Sequence, residues 1–547
     1  AAPGRRRPRQ TLGPMRPSEA PPRVLLALIM LAALSRNPAR AFRPSVRGNR
    51  WVGWRSQQLQ LDRRGRPGWV SATRGACMSA AAAPVKRLVI VESPAKARTI
   101  QKFLSQTDSG GDEYVVDSCQ GHVRDLPGKA SDVPAKYKKF HWATLGVNTD
   151  SDFEPLYVPS PGKKALIARL KQEAAMCDEI ILATDEDREG EAISWHLVEV
   201  LKPDKPVKRA VFHEITEQAI ARAFANPRDI DTNLVQAQEA RRVLDRLAGY
   251  TMSPLLWKKI APKLSAGRVQ SVGLAMIVER ERARLLFKSA EYWDITANIT
   301  ASSADGGGPA QTFDARLVEL EGRALAVSKD FDPDTGCLRP SAEKQKVLLL
   351  GGDEANWLAD ALAARGDEVE VASVDVRQQS RKAPAPFITS TLQQECFSKL
   401  RLGAKQAMQV AQGLYEAGHI TYMRTDNPNL SLEAQGIARE AVRSNYGEDY
   451  LQPEAGDGGG GNAAPKGSQE AHEAIRPAAK AGGFFTPPQE MKDLELAAKK
   501  VYELVYKRTL ASVMARAELD YTTVRLRARV PRRGQQVAEG ESGEEGE

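Results

Sequence analysis

Two short runs of consecutive apolar residues mark the first folded part of the chain. Residues 86–92 are rich in β-branched side chains and stop at Ser93-Pro94, which predicts a buried strand and then a helix from about Ala95. Residues 179–184 repeat this pattern before an acidic stretch and an amphipathic helix over residues 192–201. Strands that alternate with helices predict an α/β domain with an open sheet.

Two later segments have other periods. Residues 236–250 (QAQEARRVLDRLAGY) place apolar side chains at helical spacing with Arg241, Arg242, Asp245 and Arg246 between them, which predicts a basic amphipathic helix. Such a helix is often an ordinary solvated face, so DNA binding is one of two interpretations. Residues 418–426 (GHITYMRTD) alternate and end in a turn, which predicts that Tyr422 lies on or beside a short strand.

Length and charge narrow the class of protein. A chain of 547 residues with 42% hydrophobic content predicts several domains. The net charge of +9 is unevenly distributed, because residues 1–85 hold sixteen Arg, no Lys and two acids, a net of +14. Residues 86–547 hold 62 basic and 67 acidic side chains, a net of −5. Bulk charge therefore gives no support for nucleic-acid binding, and local sites must carry that case.

Residues 1–83 have the composition of a disordered targeting leader. After Met15, an apolar run over residues 24–34 precedes Ala39-Arg40-Ala41 and Phe42, as in a cleaved secretory signal, and the run is too short to span a bilayer. The following residues are Arg-rich and nearly free of acids, as transit peptides are. This two-part leader is similar to those of algae with complex plastids, and a mitochondrial leader or an over-extended gene prediction is the alternative. No membrane association of the mature protein is expected.

Several cofactors are not expected. The five cysteines, Cys77, Cys119, Cys177, Cys337 and Cys396, include no Cys-x-x-Cys pair, so no zinc site is predicted. No phosphate-binding loop of the Gly-x-x-x-x-Gly-Lys-Ser/Thr type occurs, so no ATP is expected. Polar stretches over residues 302–309 and 456–461 predict surface loops, and residues 531–547 predict a disordered tail.

Acidic residues follow both predicted strands. Glu92 ends the first strand, and Asp185, Asp187 and Glu189 follow the second. Since ligands of open α/β sheets bind beyond the carboxyl ends of the strands, these oxygens could converge on Mg²⁺. The alternative is a set of carboxylates that cap the N-terminus of the following helix. The residues alone do not decide between a metal site and a helix cap.

A nucleophile is the third candidate feature. Tyrosine attacks poorly unless a cation stabilises the phenolate, and Arg424 lies two residues beyond Tyr422, on the same side if the segment is a strand. Arg424 could also hold a phosphate by bidentate contact. A single tyrosine more often serves ordinary packing, so the surrounding sequence must decide.

The surrounding sequence resembles the type IA DNA topoisomerases, the family of bacterial-type DNA topoisomerase I. The segments LVIVESPAKA (88–97), GHVRDLP (121–127), FEPLYV (153–158) and ATDEDREGEAISWH (183–196) are similar to its Toprim domain. The segments LSAGRVQS (264–271), APFITSTLQQ (385–394), GHITYMRTD and SQEAHEAIRP (468–477) are similar to its DNA channel and cleavage domain. One position departs, because Asn427-Pro428 follows Arg-Thr-Asp where the family commonly has Ser, and we expect only a local adjustment of the turn.

The resemblance implies a site and its members. The implied catalytic residues are Tyr422, Glu92, Lys96, Arg424 and His472, and the implied metal ligands are Glu92, Asp185, Asp187 and Glu189. The implied DNA contacts are His122, Arg241, Arg242, Asp245, Tyr250, Trp257, Ser265, Ala266, Gly267, Arg268, Val269, Gln270 and Arg424. For Tyr250 and Trp257 the alternative is packing in the core between helices, and for His472 it is a satisfied structural histidine.

The resemblance also implies an architecture of α/β and α domains. Its predicted parts are a leader (1–83), Toprim domain (84–228), first half of a helical DNA-channel domain (229–288), first half of an arch (289–381), cleavage domain (382–512), the start of returning arch strands (513–530) and a tail (531–547). The implied activity is ATP-independent relaxation of negative supercoils with Mg²⁺, in which Tyr422 cleaves one DNA strand to give a 5′-phosphotyrosine and the strand is later resealed. The implied partner is single-stranded or negatively supercoiled DNA, and the implied protein is a monomer. Family members continue further, so a C-terminally truncated, catalytically incomplete DNA-binding fragment is an alternative, as are topoisomerase III, a Toprim primase and a Toprim nuclease.

Overall fold

The computed structural model describes residues 85–106, 112–301, 311–364, 369–453, 472–480 and 482–530. The predicted leader, the predicted loops at 302–309 and 456–461, and the predicted tail lie outside these residues. The chain divides into two compact units, with the division between Ala275 and Met276. In the described residues, we find no helix with the length and apolar character needed to cross a membrane.

The first unit is built around a parallel sheet. The strands of this unit are β1 (Lys86–Val91), β2 (Glu113–Ser118), β3 (Arg124–Asp125), β4 (Val147–Asn148), β5 (Glu154–Pro155), β6 (Val158–Pro159), β7 (Glu179–Leu182) and β8 (Val207–Arg209). Four of them, β1, β2, β7 and β8, form the parallel sheet. The helices of this unit are α1 (Pro94–Gln106), α2 (Lys164–Ala175), α3 (Arg188–Leu201), α4 (Glu217–Ala225), α5 (Thr232–Lys259) and the start of α6 (Arg268–Leu286). The strand order is β2-β1-β7-β8, with every pair parallel.

Helices cover the sheet on both faces. Leu88, Ile90 and Leu182 point to one face and pack in a buried cluster with residues of α2 and α3. Ile181 points to the other face, where Phe103 of α1 and Ile220 of α4 line a groove of about 550 Å³. Such strands are buried on both sides, which is why they read as continuous apolar runs rather than alternating ones.

The second unit combines a helical group with a long two-stranded ribbon. Its strands are β9 (Thr296–Ala301), β10 (Gln311–Arg316), β11 (Glu319–Leu320), β12 (Arg323–Ala324), β13 (Glu370–Arg381), β14 (Ala479–Lys480), β15 (Phe484–Phe485) and β16 (Ala517–Arg527). Its helices are α7 (Pro340–Lys344), α8 (Gly352–Ala363), α9 (Thr389–Leu400), α10 (Ala404–Glu416), α11 (Leu432–Tyr446) and α12 (Leu496–Val513).

The two parts of this unit differ in burial. Helices α9 to α12 pack together, and Leu392, Tyr415, Val442 and Tyr502 are among their buried side chains. Strands β13 and β16 pair antiparallel from Arg381 with Ala517 outward, and most of their side chains are exposed. The predicted combination of an α/β domain with helical parts is therefore confirmed.

Candidate active site

The acidic site lies where β1 and β7 end side by side. Glu92 follows β1 and Asp185 follows β7, and parallel neighbours bring their carboxyl ends together. Lys96, in the first turn of α1, is fully buried and donates to Glu92 Oε1 at 2.7 Å and Asp185 Oδ1 at 2.6 Å. The backbone N–H of Asp185 donates to Glu92 Oε2 at 3.2 Å. Lys96 is thus the cation that joins the two carboxylates.

Burial and mutual charge tune this group. Burial raises the pKa of Glu92 well above its usual range and the Asp185 carboxylate raises it further, while Lys96 opposes both. Burial alone would lower the pKa of Lys96, but Asp185 and Glu92 raise it above its ordinary value. Lys96 is therefore held as the charged partner, and burial favours the protonated form of Glu92 more than water would.

The other two predicted ligands have different partners. Asp187 is the N-cap of α3, and its Oδ1 accepts from Gly190 N–H at 2.8 Å. Glu189 Oε2 accepts from Gln238 Nε2 at 3.1 Å and lies 3.2 Å from His122 Nε2. The hydrogen bond to His122 lowers the pKa of Glu189.

In the protein alone, each of the four predicted carboxylates has partners of its own, and their convergence on Mg²⁺ stays a prediction. Within the part of the chain that the structure describes, no group of three or more His, Cys, Asp or Glu side chains is arranged to hold a metal ion. Carboxylates repel one another, so each takes a nearby donor or cation instead. The helix-cap alternative holds for Asp187, while the all-oxygen donor set suits Mg²⁺ in its chemistry.

A pocket of about 210 Å³ adjoins Glu189. Its lining includes the predicted residues His122, Glu189 and Arg242 and five that sequence reasoning missed: Arg124, Asp125, Tyr157, His196 and Gln238. Arg124 and His196 lie within the motifs GHVRDLP and ATDEDREGEAISWH, so these motifs could have identified both as candidate site residues.

Arg124 is the organising side chain of this pocket. Its guanidinium carbon lies 4.6 Å from the Trp195 ring centroid and 5.0 Å from that of Tyr157, as in cation–π contacts. Its Nε donates to His196 Nδ1 at 2.5 Å. Burial lowers the pKa of His196 to about 3, and Arg124 contributes, so the imidazole is neutral and can accept this bond.

Helix α5 is more than a solvated face. Arg242 makes a bidentate pair with Asp125 at 2.8 and 2.7 Å, and Arg246 is buried, donates to the Pro127 carbonyl at 2.7 Å and covers the Tyr250 ring. Arg241 is exposed. Of the predicted DNA contacts in this helix, Arg242 forms an ion pair with Asp125, whereas Arg241 and Tyr250 are exposed to solvent.

The stretch from the end of α5 to the start of α6 is also largely exposed. Trp257 is 48% exposed and donates its indole N–H to the Leu264 carbonyl at 2.6 Å, so the core-packing alternative for this residue is wrong. A Cβ at Gly267 would meet Gln270 Oε1, the end of a flexible side chain that can move aside. The exposed residues are Ser265, Arg268, Val269 and Gln270, with Ala266 and Gly267 half-buried. Arg268 pairs with Asp245 at 2.6 Å.

Tyr422 lies in the second unit just after an isolated β-bridge between Ile420 and Pro477. Its side chain is only 2% exposed, and its ring meets Tyr415 edge-on at 5.2 Å and stacks with His472 at 6.3 Å. Residues 421–426 form no strand, and Arg424 is exposed. The expectation that Tyr422 and Arg424 share one side of a strand is therefore wrong, because the segment is held by bonds to other loops rather than by a ladder.

Those bonds come from two directions. Thr421 N–H donates to the Arg476 carbonyl at 2.9 Å, and its hydroxyl donates to the Ala474 carbonyl at 2.9 Å. Asn427 is buried and its Nδ2 donates to the His472 carbonyl at 2.6 Å. Asn427, the residue that departs from the family pattern, thus joins the His472 segment to the Tyr422 segment by a hydrogen bond.

Comparisons with known proteins agree with both halves of this description. A Toprim domain profile matches residues 87–215, and a DNA topoisomerase profile matches residues 229–542. The DNA topoisomerase 1 of Mycolicibacterium smegmatis is 52% identical over 443 residues, 81% of this chain and 45% of that protein. The DNA topoisomerase 1 of Synechocystis is 50% identical over 445 residues, 81% of this chain and 46% of that protein.

A solved structure is similar as well. Full-length topoisomerase I from Thermotoga maritima has a TM-score of 0.57 and 33% identity, over 81% of this chain and 63% of that one. A Toprim sheet followed by a tyrosine-bearing helical unit places the chain among the Toprim-domain proteins. The chain belongs to the type IA, bacterial-type DNA topoisomerase I family. It spans about half the length of the curated relatives it matches.

Proposed function

We propose that the chain carries the strand-cleaving part of an ATP-independent type IA DNA topoisomerase. The Tyr422 oxygen attacks a backbone phosphorus, forming a phosphotyrosine on the 5′ side and releasing the 3′ oxygen, which takes up a proton. The reverse attack by the 3′-hydroxyl reseals the strand, so the phosphodiester energy is kept and no nucleotide is consumed. Passage of DNA through the break would relax negative supercoils.

The cradle around Tyr422 is the observation that carries this proposal. The buried Tyr422 ring stacks with His472, and hydrogen bonds from Thr421 and Asn427 join the segments that carry these two residues. The exposed Arg424 beside it can bind a phosphate in a fork. We assign His472 to orienting that phosphate.

The residues of the acidic site supply proton and charge chemistry. Glu92, whose pKa is raised by burial, is the group proposed to exchange a proton with the reacting oxygens. Lys96 is proposed to contact the phosphate, which requires that it leave part of its pairing with Glu92 and Asp185.

Mg²⁺ fits the donor chemistry of Glu92, Asp185, Asp187 and Glu189. When bound, it would offset the mutual repulsion of these carboxylates and attract phosphate oxygens. Because Lys96 now bridges Glu92 and Asp185, this site would need Lys96 to shift as the metal binds.

The DNA strand is proposed to follow exposed residues of α5, of the start of α6 and of the segment that joins them. Tyr250, one face of which Arg246 covers, and Trp257 are about half exposed, and bases are proposed to stack on them at about 1–3 kcal/mol each. Arg241 and the segment from Ser265 to Gln270 present donors to phosphates, and His122 does so beside the pocket.

A covalent-capture experiment tests the proposal. The full chain is incubated with single-stranded DNA labelled at either end and then denatured. We expect an adduct that retains the 3′ label and disappears in Tyr422→Phe, while Tyr450→Phe, an exposed tyrosine of the same unit, retains it. Folded, DNA-binding protein that forms no adduct would leave a DNA-binding fragment as the function.

We also propose that residues 1–83 direct the protein to a plastid. The support is compositional: an apolar run and an Ala-Arg-Ala site come before an Arg-rich, acid-poor stretch. Fusion of residues 15–83 to a fluorescent protein in an alga with complex plastids should label the plastid, and mitochondrial labelling would favour the alternative.

A further inference from the structure

A fully buried arginine lies behind the acidic site. Arg209, the last residue of β8, is 0% exposed. Arginine is almost never fully buried unless it is paired, because removing its charge from water is costly. The partners of Arg209 therefore indicate what its burial serves.

Most of those partners are backbone carbonyls at the carboxyl end of β7. Arg209 Nη1 donates to the carbonyl oxygens of Leu182 at 3.0 Å and Thr184 at 2.8 Å, and Nη2 donates to that of Asp185 at 2.5 Å. Nη1 also donates to the Ala210 carbonyl at 2.7 Å. The guanidinium thus hydrogen-bonds to the carbonyls of the two peptide groups that flank the Asp185 Cα.

Glu191 anchors the arginine from the other side. This carboxylate is fully buried in α3 and accepts from Arg209 Nε at 3.1 Å. It also accepts from Arg228 at 2.8 and 3.0 Å and from Asp231 N–H at 2.7 Å. Arg209 and Arg228 share this one anchor, but the hydrogen bonds to the carbonyls of 184 and 185 come from Arg209.

Asp185 is consequently fixed from both sides. Its carboxylate receives Lys96 and its backbone N–H is bonded to Glu92, while its carbonyl is held by Arg209. The loop also wraps closely, since a Cβ at Gly190 would collide with the Asp185 backbone. A lysine at position 209 has a single nitrogen and cannot reproduce the planar fork that spans these carbonyls.

We propose that Arg209 is a positioning residue that sets the orientation of the Asp185 carboxylate for the chemistry of the acidic site. It acts through the backbone and touches neither DNA nor a metal ion. The role in catalysis rests on the proposed function. The hydrogen bonds from Arg209 to the carbonyls of Leu182, Thr184 and Asp185, here called the clamp, can be tested separately.

The test compares Arg209→Lys with Arg228→Lys in the full chain. Both changes alter the Glu191 network, but only the first removes the fork on the acidic loop. We expect faster amide hydrogen exchange confined to residues 183–190 in Arg209→Lys alone. In a calorimetric titration with Mg²⁺, we expect Arg209→Lys to weaken binding about 10- to 100-fold, as changes behind metal ligands do, and Arg228→Lys to leave it nearly unchanged.

Each outcome bears on the clamp. Equal exchange at residues 183–190 in both variants, or a general loss of protection in both, would overturn it and leave Arg209 a stabilising residue only. Absence of Mg²⁺ binding in the unmodified chain would count against the Mg²⁺ part of the proposed function, and hydrogen exchange would still decide on Arg209. Should Arg209→Lys fail to fold, Arg209→Gln, which keeps one planar donor group but loses the second donating nitrogen, should give the same local pattern.

Discussion

The acidic site of the first unit and the tyrosine site of the second are stabilised by different interactions. Around Glu92 and Asp185, charge is balanced by charge, with a buried ammonium 2.6–2.7 Å from both carboxylates. Around Tyr422, the fixing contacts are neutral hydrogen bonds from Thr421 and Asn427 to the carbonyls of a distant segment. The first arrangement depends on ionisation, and the second depends on backbone position.

This difference has a functional meaning. A charge-balanced site can exchange partners, because an arriving cation or phosphate replaces one electrostatic contact by another. A nucleophile must instead approach phosphorus at a set distance and angle, so its loop gains from contacts that do not change during the reaction. Substitutions should therefore affect the two sites in different ways.

The largest effect is expected for Lys96→Met. It leaves two buried carboxylates facing each other, and breaking a buried pair in this way costs about 3–5 kcal/mol. Urea unfolding of the full chain at neutral pH in the presence of a chelator measures the loss. Lys86→Met is the control, because Lys86 pairs with Glu113 at the surface, where an ion pair contributes little. Equal losses in the two variants would mean that Lys96 does not stabilise the acidic site by charge.

A smaller effect is expected for Asn427→Ala. The change leaves the buried His472 carbonyl without its 2.6 Å donor, at a cost of about 1–3 kcal/mol. Thermal unfolding measures the loss, and the yield of covalent adduct should fall with it. Asn429→Ala keeps the backbone N–H that bonds Asn427 and serves as the control. An unchanged adduct yield in Asn427→Ala would show that the His472 carbonyl contact is not needed to position the tyrosine.

Much of the first unit could be predicted from its sequence. The strand predicted over 86–92 is β1, and the helices predicted from Ala95 and over 192–201 are α1 and most of α3. Continuous apolar runs permit few other structures in an alternating α/β pattern. The meeting of Glu92 and Asp185 follows from that topology, since adjacent parallel strands end at one edge.

The remaining contacts depend on pairing that no local pattern encodes. Nothing near Glu92 or Asp185 indicates that α1 buries Lys96 between them, and nothing near Arg209 indicates its carbonyl partners 24 to 27 residues earlier. The prediction that Tyr422 and Arg424 share one side of a strand failed for a related reason. The alternating pattern of residues 418–426 arises because a segment about 50 residues later binds Thr421 and bridges Ile420, and not because of a ladder.

The smallest effect, and the one that separates a cap from a metal ligand, is expected at Asp187. Its carboxylate caps α3, so Asp187→Ala should cost about 1 kcal/mol, whereas Asp187→Asn keeps a capping oxygen and should restore stability without metal. If Asp187 also binds Mg²⁺, Asp187→Asn should bind Mg²⁺ more weakly than the unmodified chain even though its stability is restored. Calorimetric titration beside thermal unfolding measures both quantities on the same samples. If Asp187→Asn recovers both the stability and the Mg²⁺ affinity of the unmodified chain, Asp187 serves only as the helix cap. Mg²⁺ would then be assigned to Glu92 and Asp185, which Lys96 bridges.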